Sequence, residues 1–201
     1  MNTTIKRISI VSAIPLLAIA VVASTYSLQA NAITTSINST IGSTISVFTS
    51  SGSVAINATP TGTGVQTTNN DVVTVSTNNS AGYTLQLNET TAATALVSGG
   101  NSIPATSGTI AAPTALAANT WGFRVDSSTI GGFGATTTTP ATNAAIGTVK
   151  YAGIPTTAAT IKTTAATATN DTTNVFYSVA VNTATPSGAY TNSVTYTATT
   201  N

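Results

Sequence analysis

The 201-residue chain contains no cysteine and no histidine, and only 4% of its residues are charged. Without cysteine it cannot be a disulfide scaffold, so stability has to come from a packed core. Without cysteine or histidine, Ser-His and Cys-His nucleophile pairs are impossible, as is a zinc site of ordinary composition. No Ser-x-x-Lys spacing precedes Lys150 or Lys162. The carboxylates, which would have to pair for glycosidase chemistry, each stand alone in Thr- and Asn-rich sequence. On this reading there are no catalytic residues, no cofactor and no metal site, and the protein is not an enzyme. Helix formers such as Glu, Lys, Gln and Met are scarce too, which argues against helices.

Threonine is abundant instead, filling 46 of the 201 positions. With Ser and Asn it supplies the polar surface that charge supplies in ordinary proteins, where about 25% of residues are charged. A 41% hydrophobic content rich in Val, Ile and Ala provides a core and argues against disorder.

The first residues read as an export signal. Lys6 and Arg7 form a basic start, Ile8 to Ala23 is an apolar run, and Ala30-Asn31-Ala32 is a small-x-small cleavage pattern. The run is short for a membrane anchor and contains Pro15, so cleavage between Ala32 and Ile33 is expected, leaving no membrane span. Residues 1–32 are then the signal peptide and residues 33–201 one β-sandwich domain, a length that suits a single core. The mature part keeps three basic residues (Arg124, Lys150, Lys162) against four acidic ones (Asp71, Glu89, Asp126, Asp171), a net charge of −1. Such a balance offers no footprint for nucleic acid and no basic patch for an anionic membrane.

Short alternating segments separated by Gly, Pro, Asn and Ser predict strands at 44–49, 53–58, 71–77, 83–89, 121–126, 148–152, 175–182 and 189–199. Val175, Tyr177, Val179 and Val181 share one face, as do Tyr190, Val194, Tyr196 and Ala198, which is the pattern of half-buried antiparallel strands. Thr185-Pro186-Ser187-Gly188 between them reads as a turn, so 175–199 is expected to be a hairpin. Residues 98–119 and 127–173 read as long loops or weak strands. The expected fold is all-β: an antiparallel sandwich of Ig-like type with long Thr/Ala/Gly-rich loops.

Asn69-Asn70-Asp71 is an oxygen-rich cluster just before a predicted strand, read as an Asx turn or as calcium ligands. Asn38, Asn57, Asn78, Asn88 and Asn170 open Asn-x-Ser/Thr triplets, which a composition this rich in Asn and Thr produces unaided. Trp121, Phe123 and Val125 fall on one strand face, favouring core packing for Trp121 over a platform for stacking on sugars.

Two segments carry a resemblance. Gly82-Tyr83-Thr84-Leu85 is similar to the first motif of the WxL cell-wall-binding domains, with Tyr83 in place of Trp. The last strand, Tyr190 to Ala198, is similar to their second motif, with Tyr196 in place of Trp and Ala198 in place of Leu. Across Val75–Leu85, Asn119–Asp126 and Pro186–Tyr196 the chain also resembles secreted Thr-rich surface proteins of Saccharibacteria-type small, host-attached bacteria. The resemblance implies a place on or outside the cell envelope, with Tyr83, Leu85, Trp121, Tyr190 and Tyr196 as candidate wall-binding residues. The partners it suggests are wall polymer or other surface proteins. Self-assembly into a filament or surface layer by strand addition, or adhesion to a host surface, is the alternative. N-terminal sequencing of the exported protein is expected to begin at Ile33; a product retaining Lys6 and Arg7 would instead make the segment an anchor.

Overall fold

The computed structural model describes residues 35–126, 130–135 and 137–201. The expected signal peptide and its junction at Ala32 and Ile33 lie outside the described residues. The chain divides into two units, Met1–Thr40 and Ile41–Asn201. The described part of the first, residues 35–40, is exposed and without regular structure. The described residues of the second hold twelve strands: β1 (Ile45–Thr49), β2 (Val65–Thr77), β3 (Tyr83–Glu89), β4 (Leu96–Ser98), β5 (Asn101–Ile103), β6 (Thr114–Ala115), β7 (Thr120–Val125), β8 (Ala141–Ala144), β9 (Lys150–Tyr151), β10 (Ala159–Thr163), β11 (Ala168–Val181) and β12 (Val194–Thr200).

The protein is all-β, and its strands pair antiparallel into sheets that face one another across a common core. The larger sheet has the order β1-β2-β11-β7, with β8 also pairing with β2. The smaller is β10-β3-β12, and β4-β5 and β6-β9 form two-stranded ribbons. β1 occupies the Val73–Thr77 half of β2's outer edge, while β8 meets the same edge at Gln66 and Thr68.

Alternation builds the core. Val73 and Val75 of β2, Tyr83, Leu85 and Leu87 of β3, and Phe123 and Val175 have essentially no exposed surface. The β-branched and aromatic content of these runs is what a pleated, buried face selects. The chain leaves β2 for the smaller sheet through Asn79–Gly82, where the Gly82 N–H donates to the Asn79 carbonyl at 3.0 Å. Gly82 has φ +83°, and a Cβ there would lie 2.3 Å from the Thr164 carbonyl oxygen, so no other residue fits this crossing. The sheets are also tied by polar contacts. Asp171 of β11 accepts from Lys162 Nζ at 2.6 Å and from the Tyr83 hydroxyl at 2.8 Å, and the Tyr177 and Tyr196 hydroxyls meet at 2.7 Å.

Three expectations are corrected. Residues 175–199 are not a hairpin: β11 pairs with β2 and β7, whereas β12 pairs with β3 in the other sheet. The Pro186-Gly188 link is an arch between sheets, because alternation marks a buried face without saying which strand lies beside it. Residues 53–58 are not a strand. Asn69-Asn70-Asp71 does not precede a strand but lies within β2, which begins at Val65. Residues 98–119 and 127–173 are the expected mixture of long loop and weak strand, threaded by the short strands β5, β6, β8, β9 and β10.

These excursions change the environment of β11, whose last seven residues are all buried. Its second face is covered by Leu116 and Tyr151, which cluster with Ala180. Beneath them Gln66, Thr68, Tyr151 and Ser178 form a buried network, with Thr68 Oγ1 and Ser178 Oγ 2.7 Å apart. Gly122 permits this cover, since a Cβ there would stand 2.6 Å from the Ala152 carbonyl oxygen. Arg124, fully buried, fastens the excursion: it bonds Asp126 at 2.5 Å and donates to the carbonyls of Phe133 at 3.0 Å and Lys150 at 3.3 Å. Asp126 in turn accepts from the Thr138 N–H and hydroxyl.

Trp121 is 3% exposed and its indole N–H donates to the Thr94 carbonyl at 2.9 Å. Trp121→Ala is expected to cost about 3–5 kcal/mol of stability, read as a lower midpoint in thermal or denaturant unfolding. An unchanged midpoint would contradict its place in the core.

Candidate functional site

The inward face of β11 continues past the point where the smaller sheet covers it. There Tyr177, Val179 and Val181, with Trp121, floor a groove of about 900 Å³. That is near the upper end of ligand pockets, which run from about 300 to 1,000 Å³.

One wall is the segment 49–60, which continues from Thr49, the last residue of β1, and then runs beside β2 outside any strand. Side chains of β2 hold it. Asp71 Oδ1 accepts from Ser50 Oγ at 2.9 Å and from the Ser51 N–H at 3.2 Å. Asn69 donates to the Ala55 carbonyl at 2.9 Å, and the Thr67 hydroxyl to the Asn57 carbonyl at 3.3 Å. The Asn69–Asp71 cluster thus pins a wall of the groove. Among the described residues, no group of three or more Asp and Glu side chains is placed to hold a metal.

The facing wall is the arch from Thr185 to Tyr196. The Tyr190 hydroxyl donates to the Pro186 carbonyl at 2.8 Å. Thr191 exchanges backbone bonds with Val97 at 2.9 and 3.0 Å. Asn192 Nδ2 donates to the carbonyls of Ala93 at 2.9 Å and Ala95 at 3.0 Å. Asp71 is the one charged residue lining the groove. The rest is hydroxyl, amide, aromatic and aliphatic, a surface suited to an extended, uncharged chain.

The structure brings three of the five candidate residues to this groove: Trp121 in its floor, Tyr190 and Tyr196 in its wall. Tyr83 and Leu85 are fully buried on the inner face of β3, closed off from ligand. The two segments resembling the WxL motifs nonetheless lie side by side, with Ala198 opposite Leu85 and Tyr196 opposite Leu87. Tyr177, Asn192 and the 49–60 wall were not among the candidates. The alternation placed Tyr177 on a buried face but carried no sign of an open groove above it.

Titration at the sheet interface is shifted by burial. Desolvation raises the Tyr177 hydroxyl well above its ordinary range, with the Tyr196 hydroxyl adding to the effect. Burial likewise raises Tyr196, and raises Tyr83, where the bond to Asp171 adds to it. All three are neutral hydrogen-bonding groups at physiological pH. Glu89 is the odd group in the core. It is 2% exposed, and no donor reaches hydrogen-bonding geometry with either carboxylate oxygen. Burial raises its pKa, and the nearby Thr90 N–H and Asn192 amide offset part of that shift.

No protein-family model, curated protein or solved structure matches this chain.

A carboxyl with a raised folded-state pKa binds its proton more tightly when folded. Its stability contribution is therefore full at low pH and is lost as pH rises through the folded pKa. Glu89→Gln, which stays neutral throughout, is expected to melt above the wild-type protein at pH 7. The difference should shrink towards zero below the ordinary glutamate pKa of about 4.3. Equal melting temperatures at pH 7 would mean that Glu89 is satisfied as an anion.

Proposed function

We propose that the protein is a non-enzymatic component of the cell surface, exported by its N-terminal signal, and that the groove beneath Tyr190 holds an extended, uncharged chain. The observation that carries this reading is the groove itself: a trough of about 900 Å³ whose one charged lining residue, Asp71, is engaged by Ser50 and Ser51, floored by core residues of β11. A trough of that kind suits a polymer better than a small charged metabolite. The absence of His and Cys supports a binding role over catalysis. The signal layout of residues 1–32 and the resemblance to WxL domains and to Thr-rich surface proteins support the location. Wall polymer is one chain of suitable chemistry.

Attachment through such a groove rests on hydrogen bonds and apolar contact, which salt does not screen. Protein displayed on the exporting cell is expected to stay there in about 1 M NaCl, where the Debye length falls to about 3 Å. Tyr190→Ala, which alters a half-buried side chain at the wall, should weaken retention while leaving the melting temperature close to wild type. Quantitative release by salt, or full retention of the Tyr190 variant, would contradict the reading.

A further inference from the structure

The groove is bounded on one side by β12, an edge strand hydrogen-bonded only to β3. Such an edge presents a row of unpaired backbone groups ready to accept another strand. The trough therefore lies beside a sheet edge that a further strand could join.

The same chain carries an alternating sequence that lies outside any sheet. Isoleucine recurs every fourth residue at Ile33, Ile37, Ile41 and Ile45, with Thr35, Ser39 and Ser43 between them. In an extended chain all of these fall on one face, while Ser36, Asn38, Thr40, Gly42 and Thr44 fall on the other. Ile45 packs against the core at the start of β1. Ile37 and Ile41 belong to the same series yet are 91% and 84% exposed. An amphipathic strand pattern thus runs on beyond the sheet that would use it.

Position decides between the chain's own groove and another's. β1 begins opposite Thr77, and the Asn78 side chain holds Gly42 and Thr44 at that end of β2. The groove runs from Thr49 and Asp71 to the other end of β2, where Val65 pairs with Val181 and Asn57 is held by Thr67. The two ends are separated by the 13 residues of β2, roughly 40 Å of strand. A contact made between opposite ends of like molecules is heterologous and, unless it closes a ring, repeats without limit.

Charge agrees, since residues 33–49 carry none and the only charged group in the groove, Asp71, is already bonded to Ser50 and Ser51. Size agrees as well. A strand of about ten residues enclosed on both faces is of a length to reach the roughly 1,000 Å² that a specific interface needs.

We propose that the groove is the acceptor for residues 35–44 of a second copy of this chain, which add as a strand along β12. Ile37 and Ile41 lie over Tyr177 and Val181, which share their four-residue spacing, and the copies join head to tail into a filament. This rests on the groove being the working surface, as above, and names its occupant.

The test uses the chain from residue 33 to residue 201. Sized at rising concentration and imaged, it is expected to form open linear oligomers. The double variant Ile37→Asp/Ile41→Asp, whose changes fall on exposed positions, should remain monomeric and bind a synthetic peptide of residues 33–44. With no native cysteine to interfere, Ile37→Cys with Ala189→Cys, bridged by a short bismaleimide, should give a ladder of multimers. A protein that stays monomeric at every concentration would overturn the proposal, as would oligomers indifferent to the Asp substitutions. Bridging confined to single chains would overturn it too, by placing the segment in its own groove. In any of these cases, loss of cell retention in Tyr190→Ala would leave the groove reading standing with wall polymer as its occupant. Unaltered retention would remove both.

Discussion

Everything in this fold hangs on the ladder between β2 and β11. It runs without irregularity from Val65 opposite Val181 to Val75 opposite Asp171. With so few charges and no disulfide, the chain has no other long-range fastening of comparable extent. The inner side chains of the two strands supply one half of the core. Their outer edges accept β1, β8 and β7, and the outer face of β11 receives the excursion pinned by Arg124. Antiparallel pairing over so many residues fixes register firmly, because a one-residue slip would turn Val73, Val75, Val175 and Tyr177 outward together.

The groove follows from unequal lengths. β2 and β11 have 13 and 14 residues, whereas β3 and β12 have seven each. The long strands outrun the sheet that covers them, and their inner face continues into a region where only two irregular walls stand on either side. Those walls are held by side chains rather than by strand ladders: Asp71, Asn69 and Thr67 on one side, Asn192 and Tyr190 on the other. A Thr-, Ser- and Asn-rich composition suits such construction, since short polar side chains bond nearby backbone readily.

Much of the fold was legible before the structure. The all-β class, and strands at β1, β3 and β7, follow from β-branched alternation and from the lack of helix formers. Pairing was not legible. The Val175–Val181 and Val194–Ala198 runs each announce a buried face, but the nearest turn signal suggested a hairpin where the chain instead crosses between sheets. Nor did alternation reveal that Ser178 and Ala180 are also buried, because their cover comes from Leu116 and Tyr151, far away in sequence. At the site, Trp121, Tyr190 and Tyr196 stand out as aromatics, whereas Tyr83 and Leu85 share the same pattern and lie in closed core. Only the extent of the smaller sheet separates the two groups, and that is a property of the assembled fold. Asn69–Asp71 resembled a turn or a metal site because its partners, Ser50, Ser51 and Ala55, are joined to it by tertiary contact alone.

The central claim is that a continuous ladder supports a groove whose walls lie outside it. Hydrogen exchange on the monomeric protein tests this residue by residue, since amides within a cooperative core open only with global unfolding. The account predicts the slowest exchange at the buried end of β11, residues 175–181, and its partners in β2, with fast exchange at residues 51–58 and 186–190. Protection of the walls equal to that of β11 would contradict it.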